Sequence, residues 1–274
     1  MAAALLAQIS RVPISATHVA FLLFVLALSP FPADAQSSRD LSDIFANAGV
    51  EGTFVAIDTR GEVLHIHNRG RAQEPLSPAS TFKIPNTLIA LQRGLADVDN
   101  TRFRWDGTDR GVTAWNQDHS LRSAFQASCV WCYQQIARRV GRDAYLADFR
   151  SIDYGNQHIG KAVDQFWLDG SLQISAMDQA RFLSLLWQGL LPFRRDVVAD
   201  LKTVMQVEQT NDYTLYAKSG WTGAALGVGW YVGVLETPAK TVAFALNLPM
   251  TRAEEAPLRQ QLAMQSLRRL GLLR

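Results

Sequence analysis

Residues 78–84 read Pro78-Ala79-Ser80-Thr81-Phe82-Lys83-Ile84, which sets a serine and a lysine three positions apart. A loop containing Pro and Ser gives way here to the apolar run Leu88-Ile89-Ala90-Leu91. A helix beginning at about Ser80 would carry both side chains on one face. Its N-terminus would offer backbone N–H groups and a positive dipole end to a developing oxyanion. A serine hydroxyl is a poor nucleophile until a base takes its proton, and a lysine serves as that base only where desolvation keeps its amine neutral. Phe82, Ile84 and their apolar neighbours supply such surroundings. Pro85 conflicts mildly with a helix start at Ser80, because only the first turn accepts proline without losing a hydrogen bond. Ser-x-x-Lys alone is expected by chance about once in a chain of this length, so its surroundings decide its meaning.

Outward from this segment, strand-like runs lie at both ends of the chain. Residues 52–58 and 62–67 are rich in β-formers and flank Thr59-Arg60-Gly61, which predicts a hairpin. Residues 213–217, 226–235 and 241–248 have the same character, with Thr-Pro-Ala-Lys turning the last two into a second hairpin. The middle is helical in pattern. Residues 176–190 align Phe182, Leu183, Leu186 and Leu190, with Ser175 as N-cap and Asp178 three residues on. Residues 120–140, 143–152 and 195–206 have similar spacing, and Pro257 opens a last helix running to about Leu270. Antiparallel hairpins at the two ends must pair to hide their edges, which makes the helical middle an insertion packed against one sheet.

Composition narrows the function. The 274 residues are 48% hydrophobic and 19% charged, with a net charge of +2, too small a field to attract nucleic acid or an anionic membrane. A small-molecule substrate is the expected partner. Residues 1–35 place Arg11 and His18 before the apolar run from Val19 to Leu28 and end in Ala33-Asp34-Ala35. This predicts a secretory signal cleaved before Gln36, the run being too short to span a bilayer. The mature chain, 36–274, is expected to form one exported compact domain with no stable membrane insertion.

Other chemistries lack their residues. There is no His-Glu-x-x-His, no phosphate-binding loop, no Gly-x-Ser-x-Gly elbow, and Gly227-Val-Gly229 lies in a strand pattern rather than before a helix. His65 and His67 share a strand face without further ligands nearby, so no metal is expected. Cys129 and Cys132, the only two cysteines, lack the preceding strand of a thioredoxin-like unit. They read as small apolar packing residues that could at most pair with each other. Arg259 falls in the middle of the apolar stripe formed by Leu258, Leu262, Ala263, Ser266 and Leu270. It either meets an anion or packs its stem while its head reaches water.

Taken in order, Ser80 to Lys83, Ser128-Cys129-Val130 and Lys218-Ser219-Gly220 resemble the motif set of the penicillin-recognising serine fold, and most closely the class D, oxacillinase-type β-lactamases. Tyr154-Gly155-Asn156 and Phe166-Trp167-Leu168-Asp169-Gly170 agree, as do the stretches beginning at Phe103 and Ala114, and the resemblance runs from about Gly49 to Leu272. It implies an α/β protein of the α+β type: an antiparallel sheet flanked by N- and C-terminal helices, with an inserted all-helical subdomain. It implies an enzyme that opens the β-lactam amide of penicillins and confers antibiotic resistance.

Residue by residue, the resemblance makes Ser80 the nucleophile and Lys83 a carboxylated lysine, its carbamate drawn from CO2 or bicarbonate with no other cofactor. Ser128 would relay a proton toward the lactam nitrogen, assisted by Lys218. Trp167 would hydrogen-bond the carbamate and Val130 would pack over it. The backbone N–H groups of Ser80 and Trp221 would bind the oxyanion, Ser219 and Gly220 would line the substrate, and Arg259 would pair with its carboxylate. Serine at position 219, where threonine is commoner in the family, keeps the hydroxyl. Two competing readings share the motifs: a sensor or penicillin-binding domain that is acylated without turnover, and a D,D-peptidase.

Overall fold

The computed structural model describes residues 40–273, so the leader expected at 1–35 lies outside the described residues. The first hairpin joins β1 (Thr53–Asp58) to β2 (Val63–His67), with Gly61 at φ 84° in the turn. A positive φ of that kind suits a residue without a side chain. The later strands are β5 (Gln206–Gln209), β6 (Thr214–Trp221), β7 (Val228–Glu236) and β8 (Thr241–Pro249). With β1 and β2 they make one antiparallel sheet in the order β2-β1-β8-β7-β6-β5. The two terminal hairpins therefore do pair, through the register Thr53 with Asn247 to Asp58 with Val242. A separate two-stranded ribbon joins β3 (Arg102–Phe103) to β4 (His119–Ser120).

All six residues of β1 are buried, so the sheet is covered on both faces. Val55 and Ile57 enter a large core shared with the helical insertion, while Phe54 and Ala56 enter a smaller one. That smaller core lies under α1 (Ser42–Asn47) and the last helix, α9 (Ala256–Arg269). Leu262 and Leu267 of α9 are at most 2% exposed, and each contributes roughly 1.5–3 kcal/mol by leaving water. Between the strands lie α2 (Arg69–Ala72), α3 (Lys83–Gln92), α4 (Leu121–Gln126), α5 (Val130–Val140), α6 (Arg142–Ile152), α7 (Ala176–Gln188) and α8 (Arg195–Met205). Ser175 caps α7 as its sequence predicts, accepting from the Asp178 N–H at 3.0 Å.

Five local expectations need correction. The helix expected to start at Ser80 begins at Lys83, with a 3-10 turn over Ala79–Phe82 before it. Pro85 therefore falls in the first turn, where it costs no hydrogen bond. The helical stretch 120–140 is two helices, parted at Ser128, whose φ of 57° breaks the helical run. The chain from 206 is an exposed edge strand rather than the end of a helix, and the strand expected at 213–217 runs on to Trp221. Cys129 and Cys132 are buried as expected of packing residues, but they are joined in a disulfide.

Tyr154-Gly155-Asn156 ties down the loop that carries Trp167. The Asn156 backbone N–H donates to the Gln173 carbonyl at 2.9 Å, its side-chain Oδ1 accepts from the Gln173 N–H at 3.0 Å, and its Nδ2 donates to the Ser171 carbonyl at 2.9 Å. Gly155 sits at φ 55°, and a Cβ there would lie 2.3 Å from the Gln173 oxygen. Gly155→Ala is expected to destabilise the protein by about 2–4 kcal/mol, backbone strain and collision together. Gly107→Ala, at φ 81° but in open space, should cost only about 1–2 kcal/mol. Equal shifts of the two denaturation midpoints would show that the contact with Gln173 does not matter.

Candidate active site

The local fold around Ser80 holds a strained backbone. Ala79 holds φ 48°, a conformation that a non-glycine residue keeps only when its surroundings over-determine it. Thr81 supplies much of that restraint: its hydroxyl donates to the Pro78 carbonyl at 2.7 Å and accepts from the Gln179 amide of α7 at 2.7 Å. Strand β6 closes on the same turn, with Gly220 so near that a Cβ would lie 3.0 Å from the Pro78 oxygen. A glycine at 220 is thus needed for the strand to reach the turn.

Within this frame the Lys83 amine donates to the Ser80 hydroxyl at 3.0 Å. Lys83 is 1% exposed, and its Nζ stands 5.1 Å from the centroid of the Tyr133 ring. Burial pushes its pKa well below the usual lysine range, and the nearby Lys218 charge lowers it further. The backbone beneath it is fixed by Thr87, which donates to the Lys83 carbonyl at 2.7 Å and bonds the Tyr133 hydroxyl at 2.7 Å. A neutral amine against a serine hydroxyl is a base within reach of a nucleophile.

The Lys218 amine is also buried, donating to the Ser219 carbonyl at 3.0 Å and lying 5.6 Å from the Phe125 ring centroid. Burial, with help from the Arg259 charge, pushes its pKa down to about 7. Ser219, Gly220 and Trp221 follow on β6, and the Trp221 indole is pinned by donation to the Met250 carbonyl at 2.9 Å. Arg259 of α9 donates to the Gly220 carbonyl at 2.6 Å and to the Ala256 carbonyl at 3.0 Å. It forms no ion pair with any described residue and is half-buried, so its charge is available for an anion. Gly229 makes room for it, since a Cβ there would lie 3.0 Å from Arg259 Cδ.

Ser128 and Val130 flank the disulfide at the entry to α5. Two tryptophans hold that turn: Trp115 donates to the Ala127 carbonyl and Trp131 to the Trp115 carbonyl, each at 2.9 Å. Trp167 is fully buried, stacked on Phe82 with centroids 5.4 Å apart, and its indole nitrogen has no hydrogen-bond partner. A buried donor left unpaired costs about 1–3 kcal/mol and marks a place where a small acceptor fits. A cleft of about 350 Å³ reaches Lys218 and Ser219 from the side of Phe125, Val207 and Gln260, but Ser80 and Lys83 do not line it.

Sequence reasoning missed Thr87, Tyr133 and Gln179, which fix the backbone around Ser80 and Lys83. Their signal was present only as helical spacing: Thr87 lies four residues after Lys83 and Tyr133 three after Val130. It also missed His119, which the fold brings to the cysteine pair, so that one ring nitrogen and two sulfurs lie within 4.8 Å of one another. That grouping runs against the expectation of no clustered ligands, which rested on sequence neighbours alone.

The geometry is that of a penicillin-binding transpeptidase domain, and residues 52–268 match the family model described as penicillin binding protein transpeptidase domain. Among its relatives, the chain is 39% identical to β-lactamase OXA-20 of Pseudomonas aeruginosa, covering 82% of this chain and 85% of the relative. It is 34% identical to the probable β-lactamase YbxI of Bacillus subtilis, over 84% of this chain and 90% of that one. The solved structure of the class D β-lactamase YbXI from Nostoc superposes with a TM-score of 0.82 at 36% identity, covering 85% of this chain and 99% of that chain. FUS-1 (OXA-85), a class D β-lactamase from Fusobacterium nucleatum subsp. polymorphum, gives 0.81 at 34% identity, with coverages of 85% and 98%. The chain belongs to the class D β-lactamase family.

Lys218 yields a pH prediction. Its pKa is near 7 in the fold and near 10.5 in the unfolded chain, so between these values the unfolded state binds the extra proton. Stability must therefore rise with pH across that window, by linkage. Replacing Lys218 with Met should flatten the rise of the urea midpoint between about pH 7 and pH 9. An unchanged slope would mean that Lys218 does not titrate there.

Proposed function

We propose that this protein is a serine β-lactamase that hydrolyses penicillins through an acyl-enzyme on Ser80. The observation that carries the proposal is the 3.0 Å hydrogen bond between Ser80 and the buried Lys83, whose amine burial pushes toward its neutral form. In this reading Ser80 Oγ attacks the lactam carbonyl and the lactam C–N bond breaks. Ser128 delivers a proton to the departing nitrogen, with Lys218 setting the field around it. The backbone N–H groups of Ser80 and Trp221 receive the oxyanion, where one donor is typically worth about 100- to 1000-fold in rate. Arg259, already turned toward Gly220 and free of a carboxylate, receives the substrate carboxylate. Ser219 and Gly220 form the edge against which the substrate lies.

Only an uncharged amine adds to CO2, and burial favours that form of Lys83. The site fits a carbamate on two grounds: the neutral amine, and the unpaired, fully buried indole N–H of Trp167 available to an anionic oxygen. A carboxylated Lys83 would supply the general base for acylation and for deacylation. Val130 would shield it from water. No further cofactor belongs to the proposal.

The same reading assigns residues 1–35 to a cleaved signal peptide and residues 36–274 to one periplasmic catalytic domain, monomeric or homodimeric. Among the described residues no helix is long and apolar enough to cross a membrane. N-terminal sequencing of the exported protein should begin at Gln36, and a start upstream of it would remove the leader from the proposal.

The activity is tested by steady-state hydrolysis of a penicillin and a chromogenic cephalosporin with and without bicarbonate, followed by intact mass. Sustained turnover that bicarbonate increases is expected. A single burst with a stable adduct would point to a sensor or penicillin-binding domain, and release of D-alanine from a D-Ala-D-Ala peptide to a peptidase. Ser80→Ala and Lys83→Ala should each lower kcat/KM by at least about 10,000-fold. Trp167→Ala should instead accumulate acyl-enzyme and regain part of its rate in excess bicarbonate. Arg259→Ala should raise KM about 10- to 100-fold for substrates bearing the carboxylate, the loss of one charge-assisted hydrogen bond.

A further inference from the structure

The turn that leads into Ser128 carries a second cluster of reactive side chains, and the proposed hydrolysis uses none of it. Cys129 and Cys132 are fully buried, and His119 of β4 is 2% exposed. One His119 nitrogen and the two sulfurs lie within 4.8 Å of one another. The His119 Nδ1 is engaged by the Ser123 hydroxyl at 3.0 Å, while Nε2 is buried with no partner at all. A buried imidazole nitrogen without a partner is costly, and its oriented partner on the other nitrogen is the arrangement found behind metal-ligating histidines.

Joined as a disulfide, the cysteines offer no thiolate. Two thiols of a reductant convert the bond to two thiols and leave as their own disulfide, so electrons and protons balance. The sulfurs then separate, and a metal with bonds of about 2.0–2.3 Å needs its ligand atoms roughly 3.5–4 Å apart; the three atoms already lie within 4.8 Å of one another. The Cys132 backbone N–H already donates to Cys129 Sγ at 3.2 Å, which favours the thiolate there.

We propose that the reduced chain binds one zinc ion through Cys129, Cys132 and His119. Charge selects the ion. Two thiolates and a neutral imidazole around a divalent cation sum to zero, as a site this deeply buried requires, whereas a monovalent ion would leave an uncompensated negative charge. The two thiol protons pass to solvent as the ion binds. Three protein ligands leave the fourth zinc position to water. The cluster thus has two exclusive covalent states, disulfide or zinc dithiolate, beside the same serine turn.

The test titrates zinc against a chromogenic chelator, using the full chain purified under reducing conditions and the same protein after air oxidation. Cobalt substitution reports thiolate ligation through its charge-transfer absorption. One equivalent of zinc, with thiolate-to-cobalt bands, is expected for the reduced protein and none of comparable affinity for the oxidised one. His119→Ala in the reduced state should weaken zinc binding by at least about 100-fold, more than losing an outer-shell partner costs. His119→Gln, which keeps more of the side-chain volume, should weaken it similarly. No uptake by the reduced wild type, equal uptake by both redox states, or unchanged affinity in both His119 variants would each overturn the site.

Discussion

Keeping an amine out of water is the constraint on which the active-site half of this molecule depends. An ammonium at Lys83 would lose its hydration with only the Ser80 hydroxyl to replace it, so burial disfavours the charged form. Everything around it serves that end. The Tyr133 ring lies 5.1 Å from the amine, Thr87 locks the helix carrying it, and the neighbouring Phe82 ring packs on Trp167 and Phe166. A second buried lysine a short distance away on β6 adds repulsion that any proton on Lys83 would feel. Local stability is thereby traded for a serine hydroxyl and a buried amine already in contact.

The sheet contributes position. Strand β6 carries Lys218 to Trp221 past the 3-10 turn because Gly220 lets two backbones approach, and β7 lets Arg259 lie across it because Gly229 has no side chain. Two glycines thus fix the distance between a lysine from the helical insertion, a lysine from the sheet and an arginine from the last helix. These three basic side chains come from parts of the chain far apart in sequence, and no carboxylate among the described residues pairs with any of them. With burial disfavouring charge on both lysines, the Arg259 guanidinium is the lasting positive charge of the site.

Much of this could be read from the chain itself. Alternating and β-rich runs located both hairpins, and the helical period located α7 with its Ser175 cap, because these signals depend on near neighbours. The serine and lysine were visible for the same reason, three residues apart. What could not be read is what depends on contacts across the fold. The break at Ser128 is imposed by two tryptophan indoles and a disulfide rather than by a helix breaker, and the 3-10 turn at Ser80 by packing against β6 and Gln179. His119 reaches the cysteines only because the β3–β4 ribbon folds over the entry to α5. Period and propensity are silent about such meetings.

The pairing of β1 with β8 has one more consequence, for the order of assembly. The first long strand cannot find its inner neighbour until nearly the whole chain exists, since Thr53 pairs with Asn247. Contacts of such sequence separation slow folding, because the loop entropy is lost before the pairing compensates it. Until then β1 has only its hairpin partner β2, and Gly220 has no finished sheet from which to press on the serine turn. Ser80 and Lys83 are consequently enclosed late in assembly, so an incomplete chain holds both residues but not the sheet that closes over them.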